Sequence, residues 1–158
     1  MFVSRLDLPA HTRKNAIALL QARLSDALDL EAQMKQAHWN AKGLNFFHLH
    51  EFFDKMHGEV EDMADTIAER ITALGGIADG RIQTTANSTT LYEYSLEANG
   101  GVPHLKAIAS ALGQFAKVAR QNINTATAFG DTDTADVFTE VSRATDKQLW
   151  LTEAHLAD

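Results

Sequence analysis

Apolar residues recur along this chain at three- and four-residue intervals and mark out long helices. Ala16, Leu19, Leu20, Leu24, Leu28 and Leu30 form the first such stripe, the pattern of one buried face of a helix with 3.6 residues per turn. It predicts a helix from about Thr12 to Ala41, behind a short arm of residues 1–11. A second helix is expected from about Phe46 to Leu74, closed by Gly75-Gly76 in the place glycine takes at a helix C-terminus. A third begins at Pro103, a residue suited to a first helical turn, and runs to about Phe129. Gly130-Asp131-Thr132 interrupts it, and a fourth spans about Asp133 to Leu156.

Strand signals are nearly absent. The most β-leaning stretch, Ile82 to Thr90, is rich in Thr, Asn and Ser and reads as loop. The connection from Gly76 to Val102 is too long for an ordinary helix–helix link, so it is expected either to be disordered or to cross the length of the bundle. Within it Leu91–Ala98 is predicted to add a short helix. The chain therefore reads as one all-α domain over residues 1–158, a four-helix bundle with a long crossover at 76–102, the ferritin-like arrangement.

Candidate chemistry lies on the first two helices. His50 and Asp54 stand four residues apart, as do Asp65 and Glu69, so each pair shares a helix face. The 11 steps from Asp54 to Asp65 rotate by roughly 1100°, three turns plus about 20°, which puts both pairs on one stripe. Those steps also rise by about 16 Å, far beyond a metal–ligand bond of about 2.0–2.2 Å. One copy of the helix cannot close one site with both pairs. Two antiparallel copies, related by a two-fold axis near Gly58–Glu59, would set His50 and Asp54 of one against Asp65 and Glu69 of the other. His38 precedes the Gly43–Asn45 turn by about as much as His50 follows it, so an antiparallel hairpin brings the two level.

Two imidazoles and three carboxylates suit iron, manganese or zinc. Trp39, beside His38, is placed to wall such a site or to donate its indole N–H. Lys35, one turn away, reads as a solvated lysine. The bland alternative for the carboxylates is a solvated helix face. His50-Glu51-Phe52-Phe53-Asp54 is also a near miss to the zinc-protease helix, with Asp where the second His belongs, and reads as coincidence. Bundles that hold two metals within one subunit use Glu-x-x-His pairs. None occurs here, which disfavours an intrasubunit centre.

Composition narrows the field further. A chain of 158 residues with 45% hydrophobic and 22% charged residues is an ordinary globular domain able to bury a core. No cysteine is present, which removes disulfides, thiolate ligands and thiol nucleophiles. The start MFVSRLDLPAHTRKN lacks an apolar run, and no window approaches the ~20 residues of a membrane span. A cytoplasmic protein without membrane contact is expected. The formal charge of −7 argues against non-specific attraction to nucleic acid.

His38-Trp39-Asn40, His50, Asp54, Asp65 and Ala68-Glu69-Arg70, together with the run from Gly130 to Trp150, resemble the Dps family, the miniature ferritins named as DNA-binding proteins from starved cells. The resemblance covers roughly Leu20 to His155. It implies a twelve-subunit hollow shell with ferroxidase sites at two-fold interfaces, where Fe(II) is oxidised by hydrogen peroxide or dioxygen before storage as ferric mineral. His38, His50, Asp54, Asp65 and Glu69 would be its metal ligands, with Trp39 beside them.

It also implies that the start of the last helix lines a three-fold pore, with Asp136 the best match and Asp133 and Asp131 behind it. The alternative for these three is helix capping and interaction with the helix dipole. Family members that bind DNA carry a Lys-rich tail. Here only Arg5, Arg13 and Lys14 lie near the N-terminus, and the chain closes on EAHLAD, so direct DNA binding, and with it a nucleoid-compacting role, is not expected.

Overall fold

The structure, a computed structural model, describes residues 1–157. Four long helices, α1 (Ala10–Asn40), α2 (Phe46–Ala73), α4 (Gly101–Ala128) and α5 (Thr132–Ala154), form the bundle, with a short α3 (Ile82–Ser88) in the crossover. No strand is present among the described residues. α1 packs on α2 and α4 on α5 as two hairpins, joined by α1 against α4 and α2 against α5, while α3 lies on α1. Phe53, Phe115, Phe138, Leu20, Leu30, Met34, Ile67 and Leu112 are fully buried where the four meet. Each side chain of that size contributes about 1.5–3 kcal/mol on leaving water. Among the described residues, no helix is long and apolar enough to cross a membrane.

Both hairpin ends follow from local chemistry. At the end of α2, Gly75 takes φ +91°, the Gly75 N–H donates to the Thr72 carbonyl, and the Gly76 N–H to that of Ile71. This paired closure needs a left-handed residue that glycine adopts without a Cβ penalty. Gly130, at φ +80°, repeats it between α4 and α5. α4 starts two residues before Pro103, after Gly100.

The crossover departs from expectation. Its helical turn forms at Ile82–Ser88, where a loop is predicted, and Leu91–Ala98 is not helical. Tertiary anchors along α1 decide this. Gln21 exchanges two hydrogen bonds of 2.9 Å with the Asp79 backbone. Asp26, fully buried and 2.8 Å from Arg23, accepts from the Thr90 N–H and hydroxyl. Asp29 accepts from the Thr89 hydroxyl at 2.6 Å, and Gln33 donates to the Tyr92 carbonyl. The segment after α3 is thus pinned by its backbone, which leaves no register for a helix there. Asp79 lies just before α3, accepting from the Arg81 guanidinium and the Thr84 hydroxyl. The Arg81 hydrogen bonds hold its carboxyl well below the usual range.

Candidate metal centre

The hairpin turn at residues 41–45 sets the last turn of α1 beside the first turns of α2, and His38 and His50 meet across it. Their rings stack with centroids 3.6 Å apart and planes inclined by 21°. His38 Nδ1 lies 2.8 Å from the His50 carbonyl oxygen, and His50 Nδ1 lies 2.9 Å from that of His38. A carbonyl oxygen only accepts, so each Nδ1 carries the proton and donates. In the neutral ring the lone pair is then on Nε2. A backbone acceptor on one ring nitrogen is how proteins fix the tautomer of a metal-binding histidine.

Asp54 follows His50 by one turn, with Oδ1 3.9 Å from His38 Nδ1. Lys35, read from sequence as solvated, instead donates a hydrogen bond from Nζ to Asp54 Oδ1. That bond, opposed by partial desolvation, holds the Asp54 carboxyl below its usual range, with His38 and His57 adding smaller positive contributions. His57 pairs with Glu31 at 3.2 Å, a contact that sequence spacing gave no reason to expect.

Asp65 and Glu69 do not join this group. Both are exposed further along α2, as the ~16 Å rise from Asp54 requires. Among the described residues, no group of three or more His, Asp or Glu side chains is arranged to hold a metal ion. Between the two halves runs uncovered apolar surface. A groove lined by Leu28, Ala32, Trp39, His57, Ile82 and Ala86 continues into a second, lined by Leu24, Leu28, Glu31, Ala64, Asp65 and Ala68. Trp39 is 68% exposed and Ile82 82%. Trp39 thus sits on an open face and walls no enclosed pocket in this chain.

The acidic start of α5 divides. Asp131 is 1% exposed and caps the helix, accepting from the Thr134 N–H at 3.0 Å and its hydroxyl at 2.6 Å. It also accepts from Arg70 Nη2 at 2.8 Å, while Arg70 Nε donates to the Thr134 hydroxyl. Asp131 is therefore a helix cap whose charge is paired inside the chain. Asp133 and Asp136 are exposed. Arg13 also departs from expectation. It is buried and donates to the Leu74 carbonyl, so it is no free cation at a mobile end.

A ferritin-like domain model matches residues 17–158. The DNA protection during starvation protein of Agrobacterium fabrum is 38% identical over 152 residues, which are 96% of this chain and 94% of that one. The chain belongs to the Dps family. Among solved structures, DpsC from Streptomyces coelicolor superposes with a TM-score of 0.94 at 28% identity, covering 99% of this chain and 92% of the other. Mycobacterium smegmatis Dps superposes with a TM-score of 0.93 at 28% identity, covering 100% and 95%. The anchored crossover and the hairpin that stacks His38 on His50 therefore belong to a Dps fold.

Proposed function

We propose that this chain is a Dps-type mini-ferritin that oxidises Fe(II) at sites shared between two copies and stores the ferric product. The observation that carries this reading is the reciprocal bonding of His38 and His50, which leaves both Nε2 lone pairs free on a hairpin that also carries Asp54, its Oδ1 3.9 Å from His38 Nδ1. Asp65 and Glu69 lie too far away on the same helix to join them. A second chain, antiparallel about an axis near Gly58–Glu59, would bring its Asp65 and Glu69 to His38, His50 and Asp54. The apolar surface around Trp39, Leu28 and Ile82 supports such a contact, because exposed patches of this kind mark association faces. Two-fold symmetry would make two sites per interface, and the family resemblance extends this to a shell of twelve.

The donor set suits iron as substrate. Imidazole nitrogens hold Fe(II), and hard carboxylates favour the higher charge of Fe(III), which drives the oxidation. Zinc or manganese would fit the same donors. Two Fe(II) give one electron each to one hydrogen peroxide, which takes up two protons and leaves as two waters; dioxygen is the alternative oxidant. An arriving cation would compete with Lys35 for Asp54, which would free the ammonium to face an anionic intermediate. Trp39, one residue from His38, would be covered by the second copy and would exclude water.

Exposed Asp133 and Asp136 would focus Fe(II) at a three-fold pore. Protection of DNA, the role in the name of the Agrobacterium relative, would come from consuming Fe(II) and peroxide in the cytoplasm. A compacting role without catalysis is disfavoured by the buried Arg13 and the charge of −7. The test is to size the native particle and follow near-ultraviolet Fe(III) absorbance after adding Fe(II) and peroxide. A monomer, or no oxidation above the protein-free rate, refutes the proposal.

A further inference from the structure

At the other side of the α1–α2 turn, the third residue of α2 meets the C-terminal cap of α5. His48 and His155 bring their Nε2 atoms to 3.3 Å, with ring centroids 5.5 Å apart and planes inclined by 36°. His155 is held in place twice over. Its Nδ1 lies 2.8 Å from the Leu151 carbonyl oxygen, and its ring packs on Phe52 at a centroid distance of 4.5 Å. Since the carbonyl only accepts, the proton is on Nδ1, and the Nε2 lone pair of neutral His155 points at His48.

We propose that His48 and His155 form a second transition-metal site, separate from the shared iron site and specific for a borderline divalent cation such as Zn(II), Ni(II) or Cu(II). The nitrogen separation fits, and a turn of each ring would aim its lone pair at a shared cation. Two metal–nitrogen bonds of about 2.0–2.1 Å at a tetrahedral angle place their nitrogens about 3.3–3.4 Å apart. The bland alternative is one N–H···N hydrogen bond from His48. At 3.3 Å that bond is long beside the mode of about 2.9–3.0 Å for N–H···O contacts. To ligate, His48 has also to carry its proton on Nδ1, which has no hydrogen-bond partner among the described residues.

The chemistry selects the cation. Two neutral imidazoles with no carboxylate among them suit Zn(II), Ni(II) and Cu(II) and do not suit calcium or magnesium. Both histidines are exposed, so the remaining coordination positions would hold water. Lys42 shares the same surface recess and would weaken binding of a cation, which makes the site an exchangeable one. A cation here would join the N-terminal turn of α2 to the C-terminal end of α5, residues 107 apart in sequence.

The experiment uses zinc alone on the intact protein. In a His50→Ala background, which disables the shared site, equilibrium dialysis should find zinc retained at one equivalent per chain. His48→Gln and His155→Gln, each added to that background, should abolish this equivalent. In the otherwise wild-type protein the same two substitutions should leave iron oxidation unchanged. Zinc should also raise the unfolding temperature of the His50→Ala protein and not of the double variants, because a ligand that binds only the native state stabilises it. Zinc retention unaffected by either histidine substitution, or no zinc retained in the His50→Ala protein, overturns the proposal. Neither result bears on whether the chain oxidises iron, so the two readings fail separately.

Discussion

His38 and His50 each direct Nδ1 at the other's backbone carbonyl, at 2.8 and 2.9 Å, so one hairpin fixes both tautomers at once. Replacing either histidine removes a proposed ligand and the ring stacked on the other at 3.6 Å, while the backbone carbonyl that accepts from the other stays. His38→Ala and His50→Ala are therefore expected to slow iron oxidation by more than about 100-fold, beyond the 10–100-fold typical of losing only an orienting partner. Stopped-flow absorbance would check it; a variant that keeps most of its rate would exclude the pair as ligands.

Asp65→Ala should abolish fast oxidation as fully as His50→Ala, although the two residues are far apart on one helix. Mixed and reassembled, the two inactive proteins should regain about a quarter of the wild-type sites. Half of randomly formed two-fold interfaces are mixed, and each mixed interface holds one intact site of its two. Verified mixed particles without recovery would rule out a site shared between copies.

The pair Arg70–Asp131 closes α2 onto the start of α5. Arg70→Met leaves the Asp131 carboxylate buried with only the Thr134 donors. It should lower stability by about 2–3 kcal/mol, less than for a buried ion left with no donors, and thermal unfolding measures it. Asp136→Asn, by contrast, should leave unfolding unchanged and slow iron uptake at limiting iron while sparing oxidation at saturating iron. An equal loss at all iron concentrations would assign Asp136 to the site or to folding.

His104 is buried, with Nε2 3.1 Å from the Asn40 carbonyl oxygen and Nδ1 2.6 Å from the Tyr94 hydroxyl. Nε2–H donates, so Nδ1 accepts from Tyr94. Burial pushes the His104 pKa down, with Lys42 adding a smaller push the same way, while the bond to Asn40 opposes; the same burial pushes the Tyr94 hydroxyl up to about 12. A histidine held neutral in the folded state contributes stability that is full above its unfolded pKa of about 6.5. That stability is lost as pH falls through this value toward the lower folded one. Urea midpoints between pH 7.5 and 5.5 should fall more steeply for the wild type than for His104→Gln; equal slopes would sink the assignment.

The intact protein should fail to retard duplex DNA at neutral pH and about 0.15 M salt. Binding depends on several cationic phosphate contacts, and with Arg13 bonded to the Leu74 carbonyl, only Arg5 and Lys14 remain near the N-terminus. A clear gel shift would reveal a basic surface formed by the fold.

By itself the sequence determined what is periodic and local. The four long helices, the Gly75 and Gly130 closures and the four-residue pairing of His50 with Asp54 all follow from 3.6-residue geometry and the freedom of glycine. Even the division of the candidate ligands into two groups is a matter of rise per residue. Tertiary structure decided whatever depends on groups distant in sequence. Leu91–Ala98 has the composition of a helix, but Asp26, Asp29 and Gln33 of α1 bind backbone and hydroxyl groups of Thr89, Thr90 and Tyr92, across its start. No local pattern announces that competition. Asp131 reads as a cap or a pore residue, and its pairing with Arg70, 61 positions away, is not legible in the sequence. Lys35 reads as solvated until the hairpin lays Asp54 beside it, and His155 gains His48 only because the bundle returns the end of α5 to the start of α2. Periodicity encodes which face a residue occupies; which partner waits there is set by packing between helices far apart in the chain.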